Sequence, residues 1–241
     1  MINIIKGTEP KSLKDERLRI QKELGRDTTK ADFEDKFSGN EELKKSLLGE
    51  QGYLCCYCMG QITEDNMRVE HFLPKGKDKQ GNEQFPQLAL TYENLLAACS
   101  GGEQSGKKND TSRHYCDVKK KSSQLNVLPN PSDKSSNYEN IITYSSKGEI
   151  QGNKAIEEEK QKLLSQDIND ILNLNIDFLV QNRVQARQTV ISIIHKKTKD
   201  GIWKKVSKQI IQKYHPGKKG KKAPYCGYIY FWLKKRFKLQ N

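Results

Sequence analysis

The chain has 241 residues, 34% of them hydrophobic and 30% charged, which allows one or two domains with a buried core. Its apolar residues recur at helical spacings, which argues against disorder, and no window approaches the roughly 20 apolar residues of a membrane span. The net charge is +13, and residues 196–241 hold fifteen Lys or Arg against one acid, Asp200, while the rest of the chain is near neutral. Cations clustered this way suit a polyanion, because neutralising phosphates releases condensed counterions.

Met1-Ile2-Asn3-Ile4-Ile5-Lys6 is too short an apolar run for a secretory signal. Residues 1–50 read as helical. Leu18 and Leu24 mark a charged stretch ending at Gly25. Asn40 is an N-cap for a helix with Leu43, Leu47 and Leu48 on one face and Gly52 as its stop. Residues 53–75 predict a cysteine knuckle with two short strands, and 76–83 a loop. Tyr92 to Cys99 predicts the opening of a helix, and 101–110 a second loop. Residues 126–147, with Pro129, Pro131 and many serines, read as an irregular connector.

Beyond Lys154 the periodicity is helical again. Leu163, Leu164, Ile168, Ile171 and Leu172 form one stripe, and Trp203, Val206, Ile210 and Tyr214 another. A last stripe of Tyr225, Tyr228, Ile229, Trp232, Leu233 and Phe237 reads as core, not as a base-stacking face. Lys218, Lys219, Lys221 and Lys222 precede it, and Lys234, Lys235, Arg236 and Lys238 crowd its end. These are the candidates for phosphate contact.

Cys55-x2-Cys58, Cys99 and Cys116 are four thiols in two separated groups, a set suited to a tetrahedral structural zinc. Cys55, Cys56 and Cys58 fall within four positions, which is poor geometry for separate disulfides, so reduced thiols in the cytoplasm are expected. Cys56 should face away from the metal, since adjacent residues cannot both point at it. Sixteen residues separate Cys99 from Cys116, and His114 could replace either. Four thiolates would close the site, so this metal should hold structure and take no part in chemistry.

Between the cysteine groups lies Val69-Glu70-His71-Phe72-Leu73-Pro74-Lys75. Glu93-Asn94-Leu95-Leu96-Ala97-Ala98-Cys99 and Cys116-Asp117-Val118-Lys119-Lys120 follow. In their order and spacing these resemble the HNH endonucleases, which have a ββα-metal fold. The likeness is closer to the PtuB-like HNH proteins of Septu and retron anti-phage systems, on Leu54-Cys55-Cys56-Tyr57-Cys58, Glu70 to Lys75 and Asn94 to Cys99. It covers most of the chain, strongly over 41–120 and weakly beyond.

The resemblance implies an α+β fold, mostly helical around a small zinc-stapled ββα-metal module. The division it suggests is a helical lead-in at 1–52, the nuclease module at 53–125 and a basic helical region at 126–241. It implies that His71 is the general base, that Glu70 and Asp117 hold catalytic Mg²⁺ or Mn²⁺, and that Asn94 fixes the loop orienting His71. Lys75 and Lys120 would contact nucleic acid, DNA or RNA, with the C-terminal cations. Glu70 stands where many members have Asp, and Asp117 where His or Asn is usual, so His114 is an alternative final ligand. The partners implied are a PtuA-like ATPase and, in a retron, a reverse transcriptase with its msDNA. The alternative is a catalytically inactive zinc module that binds nucleic acid or a partner protein. Gly101-x4-Gly106-Lys107 imitates a P-loop, but Lys108 follows where Ser or Thr would bind Mg²⁺, so nucleotide binding there is not expected.

Overall fold

The computed structural model describes residues 1–103, 111–198 and 203–237. Residues 104–110, which hold most of the P-loop-like segment, Lys238 and the side chains of Trp203 and Val206 lie outside the described residues. The fold is mixed: helices surround two small antiparallel sheets of two strands each.

The lead-in forms α1 (Lys11–Glu23), α2 (Lys30–Lys36) and α3 (Glu41–Gln51). The buried residues of α1 are Leu13 and Ile20; Leu18 is half-buried and Leu24 exposed. Thr29 and Asp32 form a capping box at the start of α2, each accepting an N–H that the first turn leaves unpaired. As expected, Asn40 caps α3 by accepting from Leu43 N–H, and Gly52 ends it in the left-handed region at φ 67°. Leu43, Leu47 and Leu48 are buried on one face.

After a knuckle at 55–60, β1 (Met67–His71) pairs with β2 (Leu95–Cys99), with Met67 opposite Cys99 and Glu70 opposite Leu96. Residues 92–99 are therefore not the expected helix. Leu95 to Ala98 are all buried, and a short run that is apolar throughout reads alike as a buried helix or a buried strand. Tertiary partners decide it. The edge of β2 away from β1 is covered by Gln51, whose amide donates to Ala97 O and accepts from Ala97 N–H, while Cys56 N–H also donates to Ala97 O. Residues 53–75 hold one strand rather than two; its partner comes from later in the chain.

α4 (Cys116–Lys120) follows, and then the connector, which is less irregular than its composition suggests. It contains α5 (Tyr138–Ile141) and β3 (Ile142–Tyr144), which pairs with β4 (Ile150–Gly152). The C-terminal region is α6 (Glu158–Gln166), a π turn at 167–171, α7 (Asp177–Thr198), α8 (Trp203–Tyr214) and α9 (Cys226–Phe237). One cluster of buried residues runs from Met1 to Leu233. In α9 Tyr228, Ile229 and Leu233 are buried in it, as core residues should be.

Asp167 anchors the connector to the helices. It is fully buried and accepts from Asn126 N–H (2.7 Å), Asn126 Nδ2 (2.8 Å), Val127 N–H (2.9 Å) and Leu128 N–H (2.8 Å). Removing the acceptor would leave all four donors without it, and the buried Leu128 N–H alone costs about 1–3 kcal/mol to leave unpaired. Asp167→Ala should therefore lower unfolding free energy by about 1–3 kcal/mol in urea titration, with Asp167→Asn intermediate. A loss below about 1 kcal/mol would show that the connector is held by other contacts.

Candidate functional site

The sulfurs of Cys55, Cys58, Cys99 and Cys116 all lie within 4.8 Å of one another. Cys55 and Cys116 are 3.8 Å apart, and so are Cys58 and Cys99. A ZnS₄ tetrahedron with bonds of about 2.3 Å has edges of about 3.8 Å, so the donors already have the spacing of a closed zinc site. Local backbone builds it. Met59 N–H donates to Cys55 O, and Gly60 N–H donates to Cys58 Sγ at 3.3 Å, which folds the CxxC into a knuckle. Gly101 closes the other half: its φ is 54°, Tyr115 N–H donates to its carbonyl, and a Cβ there would meet Tyr115 O at 2.1 Å. Only glycine lets the end of β2 approach the start of α4 so closely. Burial pushes the Cys116 thiol up, whereas at Cys55 hydrogen bonds from the neighbouring thiols outweigh burial and hold it down. Cys56 is buried nearby and is not one of the four.

A cleft of about 430 Å³ lies beside this cluster in sequence, lined by Glu70 and His71 of β1, Asp117 and Lys121 of α4 and its end, Lys75, and Phe33 of α2. Glu70 is buried. Its Oε1 accepts from Tyr57 Oη (2.7 Å) and pairs with Lys120 Nζ (2.8 Å), and its carboxylate shares a hydrogen bond with Asp117. Burial raises the Glu70 pKa, but the Lys120 ammonium and these hydrogen bonds outweigh it and hold the group below its ordinary value. Asp117 is pushed up to about 9 by burial and by the Glu70 charge beside it. The two carboxylates therefore hold one proton between them near neutral pH.

His71 is 5% exposed, and its ring meets Phe33 edge-on at 4.5 Å. Burial, then the Lys75 cation, lower its pKa to about 3, so the imidazole is neutral. Nε2 is 3.0 Å from Ala89 O, which can only accept, so Nε2 carries the proton. Nδ1 keeps its lone pair, with Lys75 Nζ 3.5 Å away. Asn94 grips the turn after His71: its Oδ1 accepts from Leu73 N–H (2.8 Å), and its Nδ2 donates to Leu73 O (3.0 Å).

The expected site residues thus divide. Glu70, His71, Asp117 and Lys75 share the cleft, with Asn94 behind it. His114 is not among the cleft residues; its backbone carbonyl accepts from Asn173. Lys120 is not a phosphate contact: its side chain is fully buried, pairs with Glu70 and donates to His71 O. Lys218, Lys219, Lys222, Lys234 and Lys235 line a different groove, Lys221 lies near Tyr53, and Arg236 lies over Trp232. Sequence reasoning misses Lys30, Phe33 and Lys121 of the cleft wall, and the part of buried Tyr57 as a donor to Glu70. Tyr57 alone left a trace, sitting inside the CxxC.

No family model matches the chain. Among curated proteins, one described as the candidate HNH endonuclease of retron Vc95, from Vibrio cholerae serotype O1 biovar El Tor, is 30% identical over 159 residues, which is 66% of this chain and 70% of that protein. Its counterpart for retron Ec83, from Escherichia coli, is 33% identical over 81 residues, 30% of each chain.

The thiol cluster is checked by metal analysis. Purified protein should carry about one zinc per chain, and Cys58→Ala or Cys116→Ala should lose it together with several degrees of melting temperature, because metal binding and folding are coupled. Protein that is fully folded and free of metal would refute the site.

Proposed function

The chain belongs to the HNH endonuclease family, and from that premise we propose that it hydrolyses phosphodiesters in the cleft of His71, with Glu70 and Asp117 as ligands of Mg²⁺ or Mn²⁺. The observation that carries this reading is convergence: a neutral histidine whose Nδ1 faces the Lys75 ammonium at 3.5 Å and two neighbouring carboxylates line one cleft. We read β1, β2 and α4 as the ββα-metal module of the family, with the four thiols as its structural zinc site.

His71 Nδ1 is the proton acceptor for the attacking water, which takes the place Lys75 Nζ occupies beside it, and Ala89 O holds the ring in the tautomer that leaves Nδ1 unprotonated. Asn94 is a positioning residue, fixing the turn that follows His71. Carboxylate oxygens select a hard divalent cation while the thiolates select zinc. The cation, when bound, offsets charge growing on the phosphate and the leaving oxygen. Lys75, with Lys30 and Lys121 on the cleft wall, receives the substrate's phosphates. Glu70 Oε1 is held by Tyr57 and Lys120, and the proton it shares with Asp117 marks the place a cation would take.

The module of 53–125 then draws on both neighbours: the lead-in of 1–52 supplies Phe33 and Lys30 to the cleft, and 126–241 supplies the basic surface. The relatives' names support a place in a retron. The cytoplasm as its compartment and a PtuA-like ATPase and a reverse transcriptase with its msDNA as partners are part of our proposal, and rest on the resemblance carried by Glu70 to Lys75 and Asn94 to Cys99. The substrate is nucleic acid, DNA or RNA. No helix among the described residues is long and apolar enough to cross a membrane. One observation favours a second reading, a binding module without catalysis: Lys120 already neutralises Glu70.

Incubation of the purified protein with DNA and with RNA, plus Mg²⁺ or Mn²⁺, decides between them. His71→Ala should cut at least about 100-fold more slowly, the scale of a lost general base, while keeping its fold and zinc. Unchanged cleavage would remove His71 from the mechanism; no cleavage by the wild type of any nucleic acid would favour the binding module. Cation affinity should also depend on pH. Because Asp117 titrates at about 9, a bound cation must expel its proton, so affinity falls about tenfold per unit as pH drops below 9. Calorimetry with Mn²⁺ in buffers of different ionisation enthalpy should report about one proton released per ion.

A further inference from the structure

A groove of about 750 Å³ shares no lining residue with the His71 cleft. That volume is within the roughly 300–1,000 Å³ typical of ligand sites. Its walls are apolar, from Ile2, Ile5 and Ile142 together with Tyr230 and Phe231 of α9. Ile5 is 81% exposed, a large apolar surface left open to solvent at the groove.

The rim is cationic. Lys218, Lys219 and Lys222 come from the loop between α8 and α9, and Lys235 from α9 itself. The loop is built in place: Lys222 N–H donates to Gly52 O, and a Cβ on Gly52 would meet Lys222 Cγ at 2.6 Å and Gly220 O at 2.8 Å. The groove's two acids are already matched to other cations, Glu50 to Lys6 and Glu139 to Lys234, both at 2.6 Å. The four rim lysines therefore leave a positive surplus beside the aromatic wall. Lys235 Nζ sits 4.5 Å from the Phe231 ring centroid, which puts cation and π face in one place.

An acidic peptide would satisfy the lysines but bring little apolar surface to the wall. A duplex keeps its bases stacked inside and offers phosphates alone. An unpaired nucleotide brings both a flat base and adjoining phosphates, the combination that single-strand binders exploit. We propose that this groove is a second nucleic-acid site, taking an unpaired base of a single strand against Tyr230 and Phe231 while Lys218, Lys219, Lys222 and Lys235 meet the flanking phosphates. It stands apart from the reading of the His71 cleft and does not require catalysis there.

The test uses the full chain in buffer without added Mg²⁺ or Mn²⁺ and free of chelator, so that zinc on the four thiols is kept, and anisotropy of a labelled oligothymidylate of about ten nucleotides, a length within the usual site sizes. The single strand should bind more tightly than a blunt duplex of equal length. Phe231→Leu keeps the apolar bulk but removes the stacking face, and should weaken single-strand binding by about fivefold or more. The double variant Lys218→Gln/Lys219→Gln, at solvent-exposed positions, should lower the slope of log K against log salt by about 1.4, about 0.7 per lost contact. Irradiation with an oligonucleotide carrying 4-thiothymidine should attach it to the peptide containing Tyr230 and Phe231. Equal affinity for duplex and single strand, or an adduct confined to residues 67–75, overturns the proposal. So does polyglutamate displacing the oligonucleotide at equal charge concentration, which would assign the groove to an acidic protein surface. Should Phe231→Leu misfold, the lysine variant and the adduct map still decide.

Discussion

Four sulfurs within 4.8 Å of one another join three segments that are distant in sequence. The knuckle of 55–60, the end of β2 and the start of α4 meet there. A two-stranded ribbon of five residues and a helix of five residues are each marginal alone in water. Apparent binding free energies of structural zinc, about 10–16 kcal/mol, match or exceed the whole net stability of an ordinary domain, about 5–15 kcal/mol. A metal closing on these sulfurs would therefore supply a large share of the stability of this part of the chain. The cleft inherits that constraint through the sequence. Asp117 follows Cys116 directly, and Cys99 faces Met67, three residues before Glu70. Closing the cluster is what brings one carboxylate from β1 and one from α4 into hydrogen-bond contact.

Next to the cluster stands a buried set of charges that a fold optimised for stability would avoid. Burying an ion pair costs more in lost hydration than the pair usually returns, so Glu70 and Lys120 are better explained by function than by packing. The set balances internally: two carboxylates, one ammonium and one shared proton leave no net charge. Tyr57, itself pushed far up by burial and by Glu70, stays neutral and can only donate to the carboxylate. His71 remains neutral for the same reason of burial, with Phe33 on one side and Lys75 on the other.

Much of this was legible in the sequence wherever a residue's role is set by its chain neighbours. Asn40 and Gly52 bound α3 because caps are local chemistry. The CxxC predicts its own knuckle, and the order of Glu70-His71, Asn94 and Asp117 about the cysteines predicts one shared cleft. What stayed hidden depends on partners distant in sequence. Leu95 to Cys99 carries no periodicity, and only Gln51 and Cys56 on one edge with β1 on the other make it a strand. β3 and β4 are three residues each, too short for alternation to show within a serine-rich connector. Phe33 gives no sign that its ring faces a histidine 38 positions later.

The cations show most sharply what composition can and cannot say. A count of fifteen basic residues in the last fifth of the chain points to a polyanion, yet it gives no surface. The cleft draws its positive charge from Lys30, Lys75 and Lys121, all in the part of the sequence whose net charge is close to zero. There many acids are spent in pairs, as between Lys36 and Glu16 or Arg26 and Asp32, and even in the cleft Lys30 faces Glu34 at 3.5 Å while Lys75 faces His71 Nδ1. Lys120 shows the reverse: its place one turn after Asp117 suggests a phosphate contact, and its ammonium is spent on Glu70. Net charge measures long-range attraction, which falls off within about 8–10 Å at physiological salt. The contacts that orient a phosphate are set instead by which cations are left over after local pairing, and that is a property of the fold.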